Sequence, residues 1–145
     1  MTYAENKKAR FDYQILSEIE AGIVLKGYEV ASIKKRMVSL KGSYAYFHLG
    51  ELFLLNMHVT PYQVKNMPKN YEPTITRKLL LNRNELNKTY AKMKEMGLTL
   101  IPLKIYSKNG IIKVLLGLCK GKKQYDKRET IKKRDFKRKI NKILK

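Results

Sequence analysis

The chain has 145 residues, 43% of them hydrophobic, enough for the core of one modest domain. Its 32 Lys and Arg against 12 Asp and Glu leave a formal charge of +20, and it holds a single cysteine. A small-molecule enzyme has no need of that imbalance and one cysteine cannot form an internal disulfide, so a polyanionic partner and a reducing cytoplasm are expected.

The opening stretch, Met1-Thr2-Tyr3-Ala4-Glu5-Asn6-Lys7-Lys8, lacks the apolar segment that follows the lysines of a signal peptide. No later run approaches the roughly 18 apolar residues of a membrane span, so no membrane association is expected. Ala9 to Gln14 and Gly22 to Ile33, rich in aromatic and β-branched residues and free of proline, are predicted strands. A brief helix around Ser17 to Ala21, capped by Ser17, is predicted between them. Tyr44 to His48 and Leu52 to Met57 flank a short hairpin turn, Leu49-Gly50-Glu51. Residues 58–76, with Pro61, Pro68 and Pro73, read as an irregular basic loop, and Leu79 to Leu81 is again strand-like.

Asn82 followed by Glu85 has the spacing of a helix cap, with Leu86, Tyr90 and Met93 on one apolar face and Gly97 as terminator. Leu98 to Tyr106 and Ile111 to Leu118 flank Ser107-Lys108-Asn109-Gly110, where Asn-Gly supplies the positive φ angles of a tight hairpin. About six antiparallel strands in a domain of this size are expected to close into a barrel, which removes exposed edges. The expected fold is therefore mainly β, with one to three helices.

Composition shifts near Gly121. Residues 120–145 hold 13 Lys and Arg against 3 acids. The expected division is a body at 1–120 and a basic tail at 121–145. With so few apolar groups the tail should be disordered alone. Drawn as a helix, it gathers Phe136, Ile140 and Ile143 on one side, with Leu144 at the edge, as in a segment that folds against a charged surface carrying an apolar groove.

Catalytic constellations are missing from the sequence. His48 and His58 have no partners at metal-ligand spacing, and the glycines fit no phosphate-binding loop. Cys119 reads as a structural thiol, His48 as a packed or edge histidine, and Glu18, Glu20 and Glu29 show no paired-carboxylate spacing. A binding protein is expected, with no metal.

Several blocks point further. In order along the chain they are Asn6-Lys7-Lys8-Ala9, Phe11-Asp12-Tyr13, Glu20-Ala21-Gly22-Ile23-Val24-Leu25-Lys26-Gly27, Glu29-Val30, Pro61-Tyr62 and Arg77-Lys78-Leu79-Leu80-Leu81-Asn82. Gly121-Lys122-Lys123-Gln124-Tyr125-Asp126-Lys127-Arg128 and Arg134-Asp135 complete the set. Together, in this order, the sequence resembles the small protein B (SmpB) family of SsrA-binding proteins across almost its full length. The resemblance implies a closed, OB-like β-barrel that binds the tRNA-like domain of transfer-messenger RNA. It also implies delivery of that RNA to the empty A site of stalled ribosomes, where the tail becomes helical near the small-subunit decoding centre and along the mRNA path. Elongation factor Tu is then an indirect partner through the aminoacylated RNA, and no cofactor is implied.

Residue by residue, Glu20, Leu80 and Asn82 match family positions associated with RNA binding, although each has a structural alternative as positioning acid, core leucine and helix cap. Lys7, Lys8, Arg10, Lys26, Arg77 and Lys78 are expected to track phosphates, and Tyr28 to stack on a base. In the tail, Lys122, Lys123, Asp126, Lys127, Arg128, Phe136, Ile143 and Leu144 are the expected ribosome contacts. The chain departs from the family where Ala31 loses a cation, Lys34 replaces an Arg, Arg36 replaces a glycine, Met37-Val38-Ser39 replaces a more polar loop and Ile75 stands where an Arg is common. A ribosomal protein or general RNA-binding translation factor would share the basic composition, but would bind ribosomes unaided and show no preference for the tRNA-like RNA. An RNA-processing enzyme or a membrane-active cationic protein fits the sequence less well.

Overall fold

The structure, a computed structural model, describes residues 1–62 and 68–121. Two tight turns organise its long strands. Strands β4 (Tyr44–His48) and β5 (Glu51–Leu55) are joined by Leu49 and Gly50, both at positive φ (50° and 78°). Strands β8 (Thr99–Lys108) and β9 (Ile111–Gly121) are joined by Asn109 and Gly110 (52° and 77°). Two successive positive φ angles match the twist of the flanking strands, which is why Asn-Gly marked the second hairpin in advance.

The remaining elements are β1 (Thr2–Glu5), α1 (Lys7–Asp12), β2 (Tyr13–Ile23), α2 (Gly27–Lys34), β3 (Val38–Ser39), β6 (His58–Val59), β7 (Arg77–Leu80) and α3 (Arg83–Met96). The main sheet is antiparallel and runs β1-β8-β4-β5-β7-β2-β9, with β8 also paired to β9, while β3 and β6 form a separate short pair. Leu52, Leu54, Leu79, Leu100, Ile105, Val114 and Leu116 project inward and form the main core. Leu86 of α3 packs on it. A second, small core of Ala9, Ile101, Leu103 and Cys119 lies where α1 covers the outer side of β8 and β9. Gly117 belongs to that contact, since a Cβ there would sit 2.8 Å from Leu103 Cδ1.

Three expectations fail, the first and third to contacts distant in sequence. Ala9 to Gln14 is not a strand, for Lys7–Asp12 is helical and extended chain starts at Tyr13. Asn6 caps that helix by accepting from Ala9 N (3.1 Å), while its Nδ2 donates to Pro102 O (3.0 Å) and Leu40 O (3.3 Å). Gly22 to Ile33 is strand only through Ile23. Helix α2 follows, its start fixed by Lys26 N donating to Glu29 Oε1 (3.0 Å). The helix expected at Ser17 to Ala21 is the middle of β2, which pairs with β9 from Tyr13↔Gly121 to Gly22↔Lys113 and shifts register beside Ser17.

Helix α3 is as expected. Asn82 Oδ1 accepts from Glu85 N (2.8 Å), and Gly97 takes the left-handed conformation (φ 63°) that ends the helix. Strand β9 runs to Gly121, the last described residue. The tail residues Lys122, Lys123, Asp126, Lys127, Arg128, Phe136, Ile143 and Leu144 lie outside the described residues.

Candidate nucleic-acid interface

Strand alternation sorts the expected RNA contacts. In β7, Leu79 is in the core, so Arg77 points inward with it and Lys78 and Leu80 point out. Arg77 is 3% exposed, and all five of its N–H donors are engaged. Nε reaches Glu29 Oε2 (2.6 Å), Nη1 reaches Met57 O (2.7 Å) and Ile75 O (3.1 Å), and Nη2 reaches Pro73 O (3.0 Å) and the Tyr71 hydroxyl (3.3 Å). Arg77 therefore leaves the set of exposed phosphate-tracking cations and instead ties Met57, Tyr71, Pro73 and Ile75 to Glu29 of α2. Burial, followed by the adjacent Glu29 charge, pushes the Tyr71 phenol above its usual range. Tyr28 packs edge-on against the Tyr71 ring at 5.3 Å and is half-buried, so its ring is part of this cluster.

The outward residues assemble differently. Gly22 faces Leu80 across β2 and β7, and a Cβ at Gly22 would lie 3.3 Å from Leu80 Cβ. This absence of a side chain leaves Leu80 standing 49% exposed on the sheet. Two residues along β2 from Gly22, the Glu20 carboxylate accepts from Lys108 Nζ at 3.4 Å. Tyr106, two positions before Lys108 in β8, has its hydroxyl pKa pushed up to about 12 by burial and by hydrogen bonding to, and the charge of, Glu20. Lys104 Nζ lies over the Tyr106 ring, 5.2 Å from its centroid. Lys113 pairs in register with both Gly22 and Tyr106. Asn82 follows Leu80 by two residues and is exposed at the start of α3, while Lys78 is exposed beside Glu51 (3.1 Å).

Glu20, Leu80 and Lys78 thus share one outward sheet face with Lys104, Tyr106, Lys108 and Lys113. These last four were not singled out from sequence. Their signal was the alternation Lys104, Tyr106, Lys108, which puts two cations and a ring on one side of a strand. The face offers amines for phosphates, an apolar leucine and a tyrosine ring for base or ribose contact, and a carboxylate that holds the cation and phenol in place. Lys7, Lys8 and Arg10 are exposed on α1, elsewhere on the surface, and Lys26 is exposed at the start of α2. Val24 N donates to Lys78 O (2.9 Å), which brings that end of α2 alongside β7.

Among the described residues, no group of three or more His, Cys, Asp or Glu could hold a metal ion. Cys119 is fully buried, and burial pushes its thiol up to about 11, which suits a packing role. Among the described residues no helix is long and apolar enough to cross a membrane.

The family model described as SmpB protein matches residues 3–145. The chain belongs to the SmpB family. Its relatives include the SsrA-binding proteins of Geobacillus sp. (strain WCH70), 53% identical over 97% of this chain and 90% of theirs, and of Bacillus subtilis (strain 168), 52% identical over the same shares. That of Enterococcus faecalis (strain ATCC 700802 / V583) is 49% identical over 98% of this chain and 92% of its own. A chain in the solved structure described as "tmRNA-SmpB: a journey to the center of the bacterial ribosome" superposes with a TM-score of 0.68 at 46% identity, covering 88% of this chain and 93% of that one. Within this SmpB-family chain, Arg36 holds a costly backbone conformation. Arg36 closes α2 at φ 62°, with Met37 N donating back to Ser32 O (3.0 Å), a position that glycine occupies without strain.

Proposed function

We propose that this chain binds the tRNA-like domain of transfer-messenger RNA and delivers it to the A site of stalled ribosomes. The RNA then tags the nascent peptide and frees the ribosome. The observation that carries this is the near-full-length identity of about half with several SsrA-binding proteins. The face of Glu20, Leu80, Lys78, Tyr106, Lys108 and Lys113, with Asn82 beside it, is proposed as the RNA-binding site. Its mixture of cations, a leucine and a phenol suits unpaired or splayed nucleotides better than a smooth duplex.

The strand pairings run β8–β4–β5–β7–β2–β9 and return to β8, which supports reading the sheet as a closed, OB-like barrel at 1–120. The tail at 121–145 is proposed to act on the ribosome, with Lys122, Lys123, Asp126, Lys127 and Arg128 at the decoding centre and Phe136, Ile143 and Leu144 along the mRNA path. The chain acts by binding, as a cytoplasmic protein without cofactor or catalytic residue of its own, and elongation factor Tu reaches it only through the charged RNA. The test is a reconstituted translation system stalled on mRNA lacking a stop codon. With alanylated transfer-messenger RNA and elongation factor Tu, adding this chain should append the tag to the nascent peptide. Tag addition equal with and without the chain would overturn the proposal.

A further inference from the structure

Strand β2, helix α3 and the neighbouring parts of β8 and β9 enclose a hollow of about 220 Å³. Its floor is apolar, built from Ile19, Leu100 and Leu118 with Thr89 of α3. Leu100 and Leu118 belong to the main core, so the hollow reaches down to it. The rim is charged, with Glu18 and Glu85 beside Lys88 and Lys92. None of the residues proposed above to bind RNA lines it.

The chain leaves the sheet next to this hollow. Leu118 pairs with Leu100 on one side and Ser17 on the other, and β9 ends three residues later at Gly121. Those three residues cover roughly 10 Å of strand. Tyr125 stands four residues beyond Gly121, and four extended residues span about 13 Å, enough to return to the hollow. Only Lys122, Lys123 and Gln124 come before it, so Tyr125 is the first ring able to cover the apolar floor.

The order of charges fits as well. Two lysines precede Tyr125 and Asp126 follows it, and the rim offers two acids for the lysines and two lysines for the acid. Glu18 already lies 3.8 Å from Arg10, but both side chains are nearly half exposed, and such a pair yields readily to another cation.

We propose that segment 122–128 folds back onto its own body. The Tyr125 ring fills the hollow against Ile19 and Leu118, Lys122 and Lys123 meet Glu18 and Glu85, and Asp126 meets Lys88 or Lys92. Each contact is weak alone. The tether is short, which holds the segment at high effective concentration, so a weak contact is populated. Asp126, Lys127 and Arg128 are thereby stored on the body of the free chain, and the ribosomal contact proposed for them competes with this one. That competition rests on the proposed function; the docking itself does not.

The test is nuclear magnetic resonance on the full chain, with labelled Ile, Leu and Thr methyl groups and Tyr rings, at about 0.1 M salt. Nuclear Overhauser contacts are expected from the Tyr125 ring to the Ile19 and Leu118 methyls. Tyr125→Ala should remove them and shift those methyls, while Ile105 and Ile112, towards the other end of the β8–β9 hairpin, keep their positions. Tyr125→Phe should keep the ring contacts. Glu18→Lys, at an exposed position, should weaken them at least about twofold by turning an attraction into a repulsion. Methyl spectra identical in wild type and Tyr125→Ala, with no contact from the ring to the body, would overturn the proposal. Contacts that appear only between differently labelled chains in a mixture would overturn it too, assigning the hollow to a second copy. Failed tag addition by a chain that shows the intramolecular contacts would overturn the proposed function and leave the docked segment standing.

Discussion

Arg77 and Glu29 form an ion pair of 2.6 Å, with their side chains only 2% and 4% exposed. It joins a strand to a helix 48 residues earlier in the chain, and the remaining Arg77 donors gather three backbone carbonyls and a phenol. A buried pair of this kind is costly to break from one side, because the other charge stays buried without its partner. Arg77→Ala should therefore destabilise the fold by about 3–5 kcal/mol in urea denaturation. Removing Lys78 or Glu51, an exposed pair, should change stability by about 1 kcal/mol or less. Similar small losses for both pairs would contradict the framework role of Arg77.

Arg36 offers the opposite sign. Its left-handed conformation is strained for any residue with a Cβ, and glycine relieves that strain at some cost in unfolded-state entropy. Arg36→Gly should stabilise the protein by about 0.5–1 kcal/mol, read as a rise in the urea midpoint with unchanged slope. It also removes a surface cation, so RNA affinity should fall slightly even as stability rises.

Asn82 has two separable tasks. Asn82→Ala removes the cap on Glu85 N and should cost about 1 kcal/mol of stability. Asn82→Asp keeps a capping oxygen but discards the amide donors and adds a negative charge. Near-wild-type melting with at least tenfold weaker RNA binding in the Asp variant would assign Asn82 to the interface. Equal RNA affinity would assign it to the helix alone.

Two raised pKa values set the behaviour in alkali. Cys119 is pushed from 9.0 to about 11 and Tyr106 from 10.0 to about 12. Both groups are neutral when protonated, so the folded state holds its protons longer than the unfolded chain. The stability this contributes is complete below pH 9 and is lost as pH rises, across 9 to 11 for Cys119 and 10 to 12 for Tyr106. Thermal melts should fall progressively over that range, and native Cys119 should resist thiol reagents at pH 8 until the protein unfolds. Glu20→Gln should lower the Tyr106 value in an ultraviolet titration, since it removes the carboxylate charge, while burial keeps it above 10.0.

The sequence showed its local signals well. Asn109-Gly110 announced a hairpin, and Asn82 with Gly97 bounded a helix, because the turn or cap chemistry lies within a few residues. Helix α1 could not be read that way, for its capping Asn6 is held by Leu40 and Pro102, 34 and 96 residues away. Ser17 looked like a helix cap until β9 supplied a strand partner. At the proposed site, the blocks resembling the SmpB family pointed to Glu20 and Leu80, but not to the neighbours that share their sheet face. Lys108 meets Glu20 across 88 positions, and only the β8–β9 hairpin makes that contact. Arg77 was misassigned although its spacing from core residue Leu79 was visible: two residues along a strand share a face, whatever their charge.

Selective recognition is read from the affinity of the full chain for the tRNA-like domain of transfer-messenger RNA, measured with excess bulk tRNA as competitor. Tight binding that survives the competitor, weakened by Glu20→Ala and Leu80→Asp but not by Arg83→Ala, is the predicted result. Binding abolished by bulk tRNA would show an unselective polycation and overturn the proposed function.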